Sequence, residues 1–199
     1  MRPALRPNLQ FSGYVTAFVR PRGGGISPEE HFSFILSVAR SEFVRVKRRG
    51  SDFVLGNGEE ITISQRFPPA LEGGFVRLSL AFRGVQSVEG LAKVMDMATR
   101  ESVTCEFSIA ARGLKDFDLI RRVCQSSASS FSDTPDGNFH ASIRLKGVPL
   151  EVDAFPSTGN LAVKGAYNRF VGDIKGAIRS LLTGRSPSLV DHFLDSLHI

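Results

Sequence analysis

Two stretches of this chain, RFPPALEGGFVRLSLAFRG and AFPSTGNLAVKGA, each carry a Phe-Pro dipeptide into a Gly-containing turn and then an alternating strand. Their phenylalanines, Phe67 and Phe155, stand about 88 positions apart, a spacing that reads as an internal repeat. Upstream, Phe53 faces Phe139 about 86 positions later, so each pair brackets a segment of similar length. An amphipathic helix follows the strand in both copies. A chain of 199 residues has room for two such units and little else. The expected division is 1–101 for the first unit, 102–184 for the second and 185–199 for a C-terminal tail. Two copies of a β-α-β-hairpin-β-α unit imply an α+β fold, with one curved antiparallel sheet and helices on a single face. The other face must then be covered or used, because a sheet face carrying Phe is rarely left bare in water.

The periodicities supply the elements. LQFSGYVTAFVR alternates as a strand, and Ser27, Pro28, Glu29 and Glu30 form a helix start ahead of HFSFILSVARS. Strand-like stretches FVRVKRRG, DFVLGNG, EITISQRF and FVRLSLAF follow, separated by Gly, Asn and Pro. A helix over roughly Ser87 to Arg100 has Leu91, Val94 and Met95 on one side. In the second half, SVTCEFSIAA places Val103, Cys105, Phe107 and Ile109 on one face. KDFDLIRRVCQ has Phe117, Ile120 and Cys124 at helical spacing, and SSASSFSDTPDGN reads as a loop. FHASIRLKGVPLEVDAF reads as a hairpin turning near Lys146 and Gly147, and LAVKGA as a strand. NRFVGDIKGAIRSLL reads as a closing helix with Phe170, Ile174, Ile178 and Leu181 in one stripe. In the tail, Ser188 is expected to cap a short helix bearing Leu189, Phe193, Leu194 and Leu197.

A net charge of +5 favours an anionic partner, nucleic acid before a membrane surface. Two cysteines without metal-ligand spacing point to free thiols in a reducing compartment. The start, MRPALRPNLQ, lacks the apolar stretch of a signal peptide, and no long apolar run offers a membrane span. The expectation is an intracellular protein, cytoplasmic or nuclear. Gly23 to Gly25 lack the Lys-Ser/Thr of a phosphate loop, and His31, His140, His192 and His198 are scattered. No nucleophile elbow or zinc motif is present, so neither an enzyme, a cofactor nor a small-molecule substrate is expected.

Over about 80 residues the second half resembles the repeat of the TATA-box-binding protein family, the handful of segments in the same order and nearly the same spacing. FDLIRRVCQS matches its Leu-Asp-Leu helix start, NFHASIR its Phe-Ala-Ala-Val-Ile-Met-Arg, and AFPSTGNLAVKGA its Phe-x-Ser-Gly-Lys and Thr-Gly-Ala. The first half matches through Phe53, Phe67, element order and repeat length. The resemblance implies a two-repeat saddle that bends duplex DNA through the minor groove and meets transcription-initiation proteins with its convex helices. It implies that Phe53, Phe67, Phe139 and Phe155 are the wedges between base steps, that Arg144 lies near phosphates, and that Lys164 stands where the family has a concave-face Thr.

Alternatives remain beside these. The four Phe are either wedges or ordinary core. The basic run Arg45, Lys47, Arg48 and Arg49 either contacts phosphates or guards an exposed strand. The reading face offers Thr104, Glu106 and Ser108 in place of the family's Asn residues. If Phe155 faces the ligand, alternation brings Glu151 and Asp153 to the same side, where they repel phosphates. A second function class is therefore open: a non-enzymatic binding module that kept the fold, lost DNA bending, and binds protein or another nucleic acid.

Overall fold

The computed structural model describes residues 8–21, 27–30, 45–49, 52–56, 60–168 and 170–184. The expected tail helix and the body of the first expected helix lie outside the described residues. Among the described residues ten strands and three helices of ten or more residues follow in chain order: β1 (Gln10–Val19), β2 (Arg45–Arg49), β3 (Asp52–Gly56), β4 (Glu60–Glu72), β5 (Phe75–Val85), α1 (Val88–Thr99), β6 (Ser102–Arg112), α2 (Phe117–Ser127), β7 (Ala128–Asp133), β8 (Phe139–Leu145), β9 (Val148–Phe155), β10 (Asn160–Asn168) and α3 (Ile174–Thr183). Residues 28–30 are also helical, with Ser27 and Glu30 exchanging hydrogen bonds as a reciprocal cap.

All ten strands form one antiparallel sheet in the order β2-β3-β4-β5-β1-β6-β10-β9-β8-β7. From either edge inward the order is second, third, fourth, fifth and first strand of that half. The halves meet where β1 pairs with β6, from Gln10 opposite Arg112 to Val19 opposite Ser102.

Alternation along each strand sends one set of side chains inward. On β6 these are Cys105, Phe107, Ile109 and Ala111; on β9 they are Val148, Leu150, Val152 and Ala154. They pack under the helices, which also touch one another, α1 against α3 and α2 against α3. The buried residues form one continuous cluster spanning both halves. Each helix starts on a side-chain cap: Ser87 accepts from Gly90, Asp116 from Leu119, and Asp173 from Gly176. The Lys146-Gly147 turn has positive φ at both residues, 49° and 77°, the geometry that a two-residue hairpin requires. A Cβ at Gly147 would lie 1.9 Å from the Val171 carbonyl oxygen.

Three expectations are corrected. SSASSFSDTPDGN is not all loop: residues 128–133 form edge strand β7 on β8. Its Phe131 ring stacks on Phe139 at 5.6 Å, which supplies the apolar anchor that a serine-rich strand otherwise lacks. The last helix starts at Ile174 and leaves Phe170 outside it, 67% exposed. The reason is the turn built on Asn168, whose carbonyl accepts from both Val171 and Gly172 before Asp173 caps the helix. Finally, β4 continues through Pro68 and Pro69 to Glu72, because register shifts around Phe67 relieve the prolines of ladder donation.

Candidate nucleic-acid interface

The face of the sheet away from the helices is built from the other parity of each strand. Directly opposed residues of an antiparallel pair share a face, so the register traces rows across it. One row runs Ala81, Tyr14, Ser108, Lys164, Glu151 and Ser142. The next runs Phe67, Ser79, Thr16, Glu106 and Ala166. Small and hydroxyl side chains dominate the middle.

Phe67 and Phe155 both stand on this face, 46% and 41% exposed. Each lies on the fourth strand of its half, immediately before a proline. The Arg66 guanidinium lies 3.9 Å from the centre of the Tyr14 ring and 4.9 Å from that of Phe67, a cation–π contact that steadies an otherwise exposed ring. Phe155 ends β9 opposite Asn160.

Phe139 does not join them. It is 2% exposed on the helix side, with Arg121 over its ring at 4.6 Å and Phe131 stacked beside it. Arg121 is held in turn by the Asp133 carboxylate and by the Gly137 carbonyl at 3.0 Å. The expected wedge is thus a core residue: it pairs with Ala154, the inward neighbour of outward Phe155, so it shares the inward parity. Phe53 is placed on β3 opposite Ile63, and its side chain lies outside the described residues. Arg144 is exposed on the parity of β8 that points away from α1–α3, and its guanidinium donates to the Gly147 carbonyl at 3.2 Å. Lys164 is exposed on β10 in register with Glu151.

Glu151 and Asp153 share the side of Phe155, as alternation requires. They are joined by His140, whose Nδ1 lies 2.7 Å from the Asp153 carboxylate and whose Nε2 lies 3.3 Å from Glu151. Ser142 donates to Glu151 at 2.7 Å. Sequence reasoning passed over His140 for want of ligand spacing. The signal was the hairpin itself, since a turn at Lys146-Gly147 places His140 opposite Asp153. Among the described residues no group of three or more His, Cys, Asp and Glu is arranged to hold a metal ion. Burial pushes the Cys105 and Cys124 thiols up to about 12, so neither offers a thiolate near neutral pH.

Open hollows of about 390 and 300 Å³ adjoin on this face, the first lined by Tyr14, Glu106, Lys164 and Ala166, the second by Phe18, Thr104, Glu106 and Arg144. No helix among the described residues is long and apolar enough to cross a membrane. No family model and no curated protein matches the chain. Among solved structures it is similar to Methanococcus jannaschii TBP, at 11% identity over 96% of this chain and 99% of that one, with a TM-score of 0.26; the architecture given above rests on its own strand order and register.

Proposed function

We propose that this protein is a non-enzymatic DNA-binding protein of TATA-box-binding type, built from two copies of one unit over 1–101 and 102–184. It takes duplex DNA in the minor groove on the face away from α1–α3 and bends it, while the helices of the opposite face meet proteins of transcription initiation. The observation that carries this reading is the pair of half-exposed rings, Phe67 and Phe155, at matching places in the two halves of one face. An exposed Phe beside a proline has the reach to enter an unstacked base step, and unstacking is offset by the contact surface that a bent duplex gains. Arg66 beside Phe67 and Arg144 on the β8–β9 hairpin supply charge for phosphates. The reading uses one wedge from each fourth strand, with Phe139 assigned to the core.

A second reading is favoured by Glu151 and Asp153 next to Phe155: a binding module for protein, with no DNA bending. The two separate in one measurement. Short duplexes of differing base composition, labelled at both ends, are expected to show increased energy transfer on binding and an affinity that falls steeply with salt. Phe67→Ala and Phe155→Ala are expected to abolish the bend. Feeble binding of every duplex, unchanged by either substitution, would overturn the DNA reading and leave the protein-binding one.

A further inference from the structure

We infer that Glu106 makes this face select a G·C pair at the centre of its site, an inference that rests on the DNA-binding reading above. Glu106 lies on β6, one of the two central strands of the ten-stranded sheet, and its side chain is exposed on the face away from α1–α3. Its register partners are Thr16 on β1 and Ala166 on β10, both short. The carboxylate is longer than either partner and lies in the wall shared by both hollows. Glu151 and Asp153, which stand on the same face in strand β9, are engaged by His140 and Ser142. Among the described residues no ion pair engages Glu106.

An ionised carboxylate only accepts hydrogen bonds. The minor-groove floor of A·T and T·A shows only acceptors, adenine N3 and thymine O2, whereas G·C adds the guanine 2-amino donor. Over A·T, Glu106 is desolvated against like partners and left unpaired, which is costly. Over G·C it accepts from the 2-amino group. Around it, the hydroxyls of Tyr14, Thr16, Thr104 and Ser108 donate or accept as required, and the Lys164 ammonium donates to acceptors that both kinds of pair present. They tolerate either pair, so discrimination falls to the carboxylate.

The test uses the full chain and duplexes identical except at the central pair, compared by competition anisotropy. Inosine·C removes the 2-amino group from G·C, and 2,6-diaminopurine·T adds it to A·T. The G·C and diaminopurine·T duplexes are expected to bind about tenfold more tightly than the A·T and inosine·C duplexes. Glu106→Gln, a change at an exposed side chain, is expected to flatten that difference without moving the thermal midpoint. Equal binding of all four duplexes overturns the inference and leaves the DNA reading standing. A preference that survives in Glu106→Gln also overturns it. Failure to bind any of the four overturns both.

Discussion

Phe139 and Phe155 begin and end one hairpin, yet their side chains leave the sheet in opposite directions. A shift of one residue in a strand exchanges its faces, and Phe139 is in register with Ala154 rather than with Phe155. Its ring sits between Phe131 and Arg121, closing the core beneath α2. Phe139→Ala is therefore expected to cost about 3–5 kcal/mol, and Phe155→Ala to stay within about 0.5 kcal/mol. Urea unfolding of the two variants measures this, and equal losses would contradict the placement. The difference was legible in the sequence: F-x-A-x-I-x-L makes Phe139 part of the apolar set, and V-x-L-x-V-x-A puts Phe155 outside it. Matching motif positions drew attention from that parity. Arg66 was less accessible, because its approach to Tyr14 depends on the bulge that prolines create in β4.

At the scale of elements, the helices are tied across the halves by an ion pair between α1 and α3. Arg179 reaches Glu89 through Nε at 3.0 Å and Nη2 at 2.5 Å. The hydrogen bonds from Arg179 hold the Glu89 carboxyl below its ordinary value of 4.5, against a smaller opposing effect of burial. A depressed folded-state pKa contributes stability above the unfolded value and loses it as pH falls through the lowered one. The pair is largely solvent-exposed, so its contribution is at most about 1 kcal/mol. Glu89→Gln is expected to be slightly less stable than the parent at neutral pH and indistinguishable from it in strong acid; thermal midpoints across that range check it, and a gap that widens in acid would contradict it. The starts of α1 and α2 were legible, and Ser87 and Asp116 there are capping residues. The start of α3 was misplaced because Phe170 falls by chance on the stripe of Ile174 and Ile178, while the Asn168 turn leaves no mark in periodicity. Strand β7 was hidden by its serines, which resemble a loop until Phe131 finds Phe139.

For the whole molecule, the decisive contact is the pairing of β1 with β6, reinforced by a core that crosses it and by the packing of α1 on α3. The chain is expected to unfold in a single calorimetric transition, with calorimetric and van't Hoff enthalpies equal. Two resolved transitions would show that the halves are thermodynamically separate. The strand inventory was legible from alternation and turn residues, but not which strands would meet in the middle. That choice depends on backbone edges, which composition does not record. Among the described residues the outer edges are β2 and β7; both are short, and the first is a run of Arg and Lys, features that resist adding another strand. The inner edges have no such guard. Were β1 and β6 to part, each molecule would hold two complementary sticky ends, and a second parted copy would satisfy them as well as its own halves do. Copies that traded halves would be bonded by the same ladder that closes the monomer.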